Sequence, residues 1–344
     1  MGVAITELLQ PREIEFDELK NKVIAVDAFN ILYQFLTTIR QADGTPLKNS
    51  KGQVTSHLTG LFTRTSNLMS RGIKLVFVFD GKPPEMKKEE RLKRDLLKKE
   101  AQKKYDVAKQ NQDVDEMKKY SQRTTKLTPE MADEAKKLLQ LMGLPVIQAP
   151  SEGEAQAAYM VKKEDIYALV SQDIDALLFG SPLLIRNLTI TARRKVAGKL
   201  SYAQAKPEIV SLSETLNTLG LEHDQLIALG MLVGTDYNVG GIKGLGPKKA
   251  LKIVKEHGKD LDSLFKEVKW EDYFSFSWQS VFQFFKEVPV TDEYNLKWES
   301  PDIDGIKKML VDEYQFSSER VENTLAKIKD AGDKGQKGLT EFFG

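Results

Sequence analysis

Residues 22–27 read KVIAVD and residues 74–80 read KLVFVFD. Each is a short, almost unbroken apolar run closed by an aspartate. A strand with one wet face alternates apolar and polar residues. A run without alternation suits a strand of a parallel sheet covered on both faces. Outward from the first run, AFNILYQFLTTIRQ has a helical pattern, ADGTPLKNSKGQ is a turn-rich loop, and residues 54–71 form a helix that ends at Gly72. GKPP breaks the chain after the second run. Residues 129–142 are an amphipathic helix closed by Gly143, LPVIQAP is a third strand, and residues 152–162 a helix. Ser151 and Glu154 have the spacing of a capping box at its start. YALVSQD (167–173) is a fourth strand, DALLFG a short helix and LLIRNLT a further strand. This alternation implies an α/β fold with a central, mainly parallel twisted sheet flanked by helices. From about residue 214 the pattern is almost wholly helical.

The chain has 344 residues, with 51 Lys/Arg against 50 Asp/Glu and 41% hydrophobic residues. At ~150 residues per domain this suggests about two units, or one core with insertions. No apolar run approaches the ~18 residues of a helical membrane span. The absence of cysteine excludes disulfides, iron–sulfur clusters, cysteine zinc sites and thiol nucleophiles. His57, His223 and His257 lie far apart and in no metal-ligand spacing, which argues against Ser-His-Asp catalysis and histidine metal sites. The first residues lack a basic segment followed by an apolar stretch, so no secretory leader is evident. Gly2 and Thr6 fit the loose myristoylation pattern, but nothing else points to a membrane.

Charge is segregated. Residues 82–126 hold 15 basic against 9 acidic groups. Residues 186–199 hold five basic groups, Arg193 and Arg194 among them, and no acidic one; residues 240–269 hold eight lysines against four acids. Any one such patch fits a solvated helix face; three together favour a polyanion such as nucleic acid. Residues 85–126 are charged, helix-prone and too poor in apolar residues to pack as core helices, and read as a protruding helical insertion.

Three strands end in aspartate, at Asp27, Asp80 and Asp173. Sites in open α/β sheets form beyond the carboxyl ends of the strands. Asp175 would point the same way as Asp173 if the extended conformation persists. Glu152 and Glu154 start a helix directly after a strand, and Asp236, in GTDYN, follows another helix. Each acid alone reads well as a helix cap or a dipole partner. Together at one edge they would repel each other and need cations. With hard oxygen donors only, those cations are Mg2+ or Mn2+, and two of them suit phosphoryl transfer.

Residues 240–259 read GGIKGLGPKKALKIVKEHGK. The glycines make a tight hairpin, Pro247 opens a helix, and Lys248, Lys249 and Lys252 follow. Gly241, Gly244 and Gly246 let backbone N–H groups approach phosphates. This is the pattern of a helix–hairpin–helix DNA-binding element. The terminal QKGLTEFFG places Gln336, Leu339, Phe342 and Phe343 so that one 3₁₀ turn gathers the apolar three into a plug for a partner.

VDAFN, FVFDGKPP, APSEGEAQAAY, SQDIDALLFG, GTDYN, GIKGLGPKKAL and QKGLTEFF together resemble the flap endonucleases, structure-specific 5′-nucleases of replication and repair, over essentially the whole chain. The resemblance implies seven active-site carboxylates at Asp27, Asp80, Glu152, Glu154, Asp173, Asp175 and Asp236. It implies two Mg2+ ions, with Mn2+ able to substitute. Asp80, Glu152 and Glu154 would serve mainly one, Asp173 and Asp175 the other, and Asp27 and Asp236 would act largely through water. Lys87 and Arg94 match the family's basic pair at the scissile phosphate, and Tyr33 the tyrosine that stacks on a base near the cut. Gly2 matches a processed N-terminus near the DNA. Residues 85–126 become a helical arch that passes the 5′ flap, with K+ at the hairpin carbonyls of the helix–hairpin–helix element. The tail resembles the peptide that docks on the replication sliding clamp, proliferating cell nuclear antigen.

The organisation implied is an N-terminal nuclease region (1–98), the arch insertion (85–126), an internal nuclease region (127–239), a helix–hairpin–helix and C-terminal helical region (240–330), and a flexible tail (331–344) with the clamp motif at 336–343. The chain's end just past that motif suggests the archaeal type, monomeric when alone and working at the nucleoid in the cytoplasm; a eukaryotic member would be nuclear. The expected activity is cleavage of 5′ flaps, with 5′–3′ exonuclease activity, in Okazaki fragment processing and repair. The rivals are a mainly exonucleolytic enzyme of the same superfamily and a clamp-bound DNA scaffold without turnover.

Overall fold

The computed structural model describes residues 3–189, 193–195, 202–204 and 206–340. After an edge strand β1 (Arg12–Glu13), KVIAVD forms β2 (Val23–Asp27), which runs directly into α1 (Ala28–Thr38). Then come α2 (Ser56–Met69), β3 (Lys74–Phe79), α3 (Lys88–Gln110), α4 (Val114–Arg123), α5 (Pro129–Leu141), β4 (Val146–Gln148) and α6 (Gly153–Lys162). The next elements are β5 (Ala168–Val170), α7 (Asp175–Leu178), β6 (Leu183–Arg186), β7 (Arg193–Lys195), β8 (Tyr202–Gln204) and β9 (Glu208–Ser211). Helices complete the chain: α8 (Leu212–Leu219), α9 (His223–Val233), α10 (Pro247–His257), α11 (Leu261–Glu267), α12 (Trp278–Glu287), α13 (Ile303–Lys307) and α14 (Ser318–Thr340).

Among the described residues the main sheet has seven strands in the order β1-β9-β6-β5-β2-β3-β4, and β7 pairs with β8 in a separate hairpin. Strands β6, β5, β2, β3 and β4 run parallel to one another, while β9 pairs antiparallel with β6 and β1 antiparallel with β9. The absence of alternation in KVIAVD and KLVFVF now has its cause. Ile24, Val26, Leu75, Phe77 and Phe79 face one buried layer with α1, α2 and α5. Ala25, Val76 and Val78 face the other, with α6, α7, α9 and α10. Both faces of the pleat are covered, so both parities are apolar.

Several local expectations shift. Helix α2 is capped by Ser70, and Gly72, at φ +77°, turns the chain into β3 two residues later. Helix α5 is capped by Met142, with Gly143 at φ +74° beyond it. The cap of α6 is Glu152 rather than Ser151, so the expected capping box does not form. Residues 288–302, in the region read as almost wholly helical, form a strap without regular structure. It is tied to the body by Gln156 with Thr291 and by the Trp298 indole donating to the Leu75 carbonyl at 3.0 Å. Residues 331–340, read as a flexible tail, continue α14 to Thr340.

The charged insertion folds as α3 packed against α4, with Ala101 and Ala108 among its few buried side chains. Leu92 and Leu96 are 57% and 62% exposed, as expected of helices without a core of their own. Arg40, just past α1, ties the far end of α4 to the body, donating to the Gly44 carbonyl at 2.7 Å, to Ser121 Oγ at 3.2 Å and to Thr125.

Candidate active site

Strand β2 has β3 on one side and β5 on the other. At this point the chain crosses over in opposite directions, and the loops beyond the strands part to leave a crevice. Asp27, the last residue of β2, caps α1 by accepting from the Asn30 N–H at 3.0 Å. The capping reading of Asp27 is thus correct, and its carboxylate lines the crevice as well.

Asp80 follows β3. Beyond it the chain zips to the loop after β4, with Gly81 N–H donating to the Ser151 carbonyl at 2.6 Å and Lys82 N–H to Pro150 at 3.2 Å. A Cβ at Gly81 would lie 2.1 Å from the Ala149 carbonyl oxygen, so only glycine permits this approach. The zip brings Asp80 Oδ1 to the Gly153 N–H at 2.7 Å, at the first turn of α6, which carries Glu152 and Glu154.

Strand β5 stops at Val170, so Asp173 and Asp175 are not on extended chain as expected. A turn places Asp173, and Asp175 is the first residue of α7. Asp173 Oδ2 accepts from Asn30 Nδ2 at 3.0 Å, and Asp175 Oδ1 from the Val3 N–H at 2.7 Å. Asp236 sits on the turn after α9. That turn is locked by buried Thr235 and Asn238, whose Nδ2 donates to the Met231 carbonyl at 2.6 Å.

All seven acids therefore line one cavity of about 390 Å3, with Tyr33, Lys87 and Arg94. Lys87 Nζ lies 2.5 Å from Glu152 Oε2 and 3.7 Å from Asp236 Oδ2; Arg94 is 3.1 Å from Asp236 Oδ2 and also pairs with Glu90. Tyr33, half-buried on α1, faces the cavity with Lys98 Nζ 5.4 Å from its ring centre.

Burial pushes Asp27, Asp80, Glu152 and Glu154 above the usual carboxylate range. Neighbouring acids add to the shift at Asp27 (Asp80, Asp173), Glu152 (Asp80, Asp236) and Glu154 (Asp27, Asp173, Asp175). Burial, then Asp236, raises Asp175 to about 7. Lys87 is driven the opposite way from its burial: Glu152 and Asp236 hold its ammonium charged. Among the described residues no three acids converge as a ready-made metal cage, and the cationic side chains lining the cavity are Lys87, Arg94 and Lys98. The donor set still fits a hard divalent cation. It is all oxygen and desolvated, and burial first, with neighbouring acids adding at most of its members, raises its proton affinities.

Sequence reasoning missed Asn30 and Tyr237. Asn30 accepts from the Gln172 N–H at 3.2 Å while donating to Asp173. Tyr237, 2% exposed, carries Lys87 Nζ 5.2 Å from its ring centre. Both lie inside the quoted motifs VDAFN and GTDYN, where the neighbouring acid drew the attention. The histidines have structural partners: His57 with Glu134, His223 with the Leu177 carbonyl, His257 with Glu267.

The glycine hairpin is present. Gly241 and Gly244 have φ of +58° and +86°, Gly246 caps α10, and Pro247 is its first residue. Lys248, Lys249 and Lys252 are exposed along α10, away from the acidic cavity lining. Arg193 and Arg194 fall on the β7–β8 hairpin. Gln336 and Leu339 fall on α14, and Gly2, Phe342 and Phe343 lie outside the described residues.

Family models agree with this geometry. The XPG N-terminal domain matches residues 1–101 and the XPG I-region residues 143–236, so fold and acidic crevice define a nuclease of the XPG class, a hydrolase of phosphodiester bonds. Flap endonuclease 1 of Pyrococcus abyssi is 53% identical over 343 residues, covering 100% of this chain and 98% of that protein. Its counterpart in Pyrococcus furiosus is 52% identical, covering 100% and 99%. The solved flap endonuclease-1 from Methanococcus jannaschii superposes with a TM-score of 0.76 at 42% identity, covering 96% of this chain and 98% of that one. The catalytic core of Rad2 in complex with DNA substrate gives 0.67 at 25%, covering 94% and 97%. The chain belongs to the flap endonuclease 1 family and is a structure-specific flap nuclease.

Proposed function

We propose that this nuclease removes 5′ flaps from branched DNA near the flap junction, with 5′–3′ exonuclease activity as a lesser mode. The observation that carries the reading is the gathering of seven carboxylates at the foot of a basic helical hairpin. Asp80, Glu152 and Glu154 would hold one divalent cation and Asp173 and Asp175 a second, with Asp27 and Asp236 acting at one remove. Two Mg2+ ions, or Mn2+ in their place, would supply activation of water and neutralisation of the charge on the scissile phosphate and leaving 3′ oxygen.

The chain's own groups do the rest. Lys87 and Arg94, now paired with Glu152 and Asp236, are positioned to donate to the non-bridging oxygens of the phosphate, where negative charge grows in the transition state. Tyr33 offers a ring at the rim for a base of the cut strand. Helices α3 and α4 would enclose the flap. The α9–α10 hairpin would grip the downstream duplex through backbone N–H groups, Lys248, Lys249 and Lys252, with K+ at its carbonyls, and Arg193 and Arg194 would add further DNA contacts. These are backbone contacts, so selectivity would come from duplex shape rather than base sequence. The terminal motif, from Gln336 to Phe343, would dock on the replication sliding clamp, placing the enzyme at Okazaki fragments and repair sites.

The test is cleavage of an end-labelled double-flap DNA with Mg2+ or with EDTA. The expected result is a metal-dependent cut near the junction, lost when a bulky adduct blocks the 5′ end. Equal turnover of recessed ends would favour the exonuclease. Turnover retained in Asp80→Ala or Asp173→Ala would overturn the site assignment.

A further inference from the structure

We infer that Asn30 is a positioning residue that fixes Asp173, on the turn after β5, against the start of α1 and the Asp27 that caps it. The inference rests on the carboxylate site proposed above and goes one layer outward from it. Asn30 lies on the first turn of α1. Its backbone N–H donates to Asp27 Oδ1 at 3.0 Å, its Nδ2 to Asp173 Oδ2 at 3.0 Å, and its Oδ1 accepts from the Gln172 N–H at 3.2 Å. One residue thus binds an acid at the end of β2 and both an acid and the main chain of the turn after β5. The turn passes the constraint on: the Asp173 N–H donates to Ser171 Oγ at 3.1 Å, and that hydroxyl donates to Glu154 Oε1 at 2.6 Å. Asp173 and Glu154 are therefore linked to α1 through two neutral side chains, while Asp27 is joined through the Asn30 main chain, a contact that side-chain substitution leaves in place.

The chemistry explains why an amide stands here. The position needs an acceptor toward a main-chain N–H and a donor toward a carboxylate, which asparagine supplies together. Aspartate would keep the first contact and set a second negative charge against Asp173. Leucine would keep the volume and lose both. With β5 ending at Val170, the Ser171 N–H still donates to the Ile185 carbonyl of β6 at 3.3 Å, and beyond it the Asn30 and Ser171 side chains hold the turn that carries Asp173. Partners that orient metal-binding carboxylates typically change affinity or activity by roughly 10–100-fold when removed.

The experiment uses the full-length Asn30→Asp and Asn30→Leu proteins beside Asp173→Ala. Mn2+ affinity is measured by calorimetry without DNA, and kcat and KM on a double-flap DNA at saturating Mg2+. The expected result for both Asn30 variants is roughly 10–100-fold weaker Mn2+ binding and a lower kcat at unchanged KM. Asn30→Asp is the decisive variant: nearly isosteric, it separates loss of orientation from loss of packing even if Asn30→Leu does not fold. Mn2+ binding and kcat within twofold of the parent in Asn30→Asp would overturn the inference. If Asp173→Ala also turned over normally, the failure would lie with the site itself.

Discussion

Asp175 is 5% exposed, and its neighbours are acids. Burial first, then Asp236, lifts it from 3.8 to about 7. A carboxyl raised on folding binds its proton more tightly in the native state. The metal-free protein is therefore favoured below the unfolded value and loses that advantage as pH rises through about 7. In EDTA, urea-unfolding free energy is expected to fall between pH 5 and 7.5, by up to roughly 1.4 kcal/mol per pH unit for each such group. Asp175→Asn, which keeps an acceptor for the Val3 N–H, should flatten part of that slope. Divalent cation should stabilise the parent more at pH 7.5 than at pH 5. A metal-free protein whose stability rises over this interval would show that the acids are not strained by one another. At this scale the acids were legible in the sequence and their partners were not. Asp27, Asp80 and Asp173 announce themselves by closing apolar runs. Asn30 and Tyr237 matter through what lies across the fold from them, which no local pattern records.

Among the elements, the α9–α10 hairpin is where local chemistry and structure agree best. Gly241 and Gly244 adopt positive φ and Pro247 opens α10, as residue type requires. Its lysines are proposed to meet phosphates, and each such contact should add about 1 to the slope of log affinity against log salt. Lys248→Ala with Lys252→Ala should weaken binding to nicked and flapped duplexes alike and lower that slope by about 2. An unchanged salt slope would move the duplex contact elsewhere. The caps of α2, α5 and α6 were less legible. Glycine at positive φ follows the helix end by one or two residues, and Ser151 gives up the cap because the Gly81–Ser151 zip sets where α6 begins.

For the whole molecule, the acidic crevice is bordered by cations at the start of the α3–α4 hairpin, while α10 carries a second set of exposed lysines outside its lining. The near-neutral total of +1 hides this division. No helix among the described residues is long and apolar enough to cross a membrane. The terminal motif is proposed to tether the enzyme to the sliding clamp. Capture by immobilised clamp should be lost in Leu339→Ala and in a double change of Phe342 and Phe343 to Ala. Capture that survives both would place the clamp contact on another surface.

By itself the sequence determined the layered parallel sheet, because burial on both faces forbids alternation, and it marked the acids as candidates, each alone readable as a helix cap but as a set at one edge in need of cations. It determined the hairpin of α9 and α10, because glycine permits the positive φ the turn needs and proline fixes φ at the start of the helix. Only the tertiary structure decided how Asp173 and Asp175 reach the crevice from a turn and a helix start, that Lys87 and Arg94 pair with the acids, and that Asn30 joins two strands. Those outcomes depend on contacts between residues far apart in the chain, 65 positions for Lys87 with Glu152 and 143 for Asn30 with Asp173, and chain distance carries no information about them until the sheet has formed.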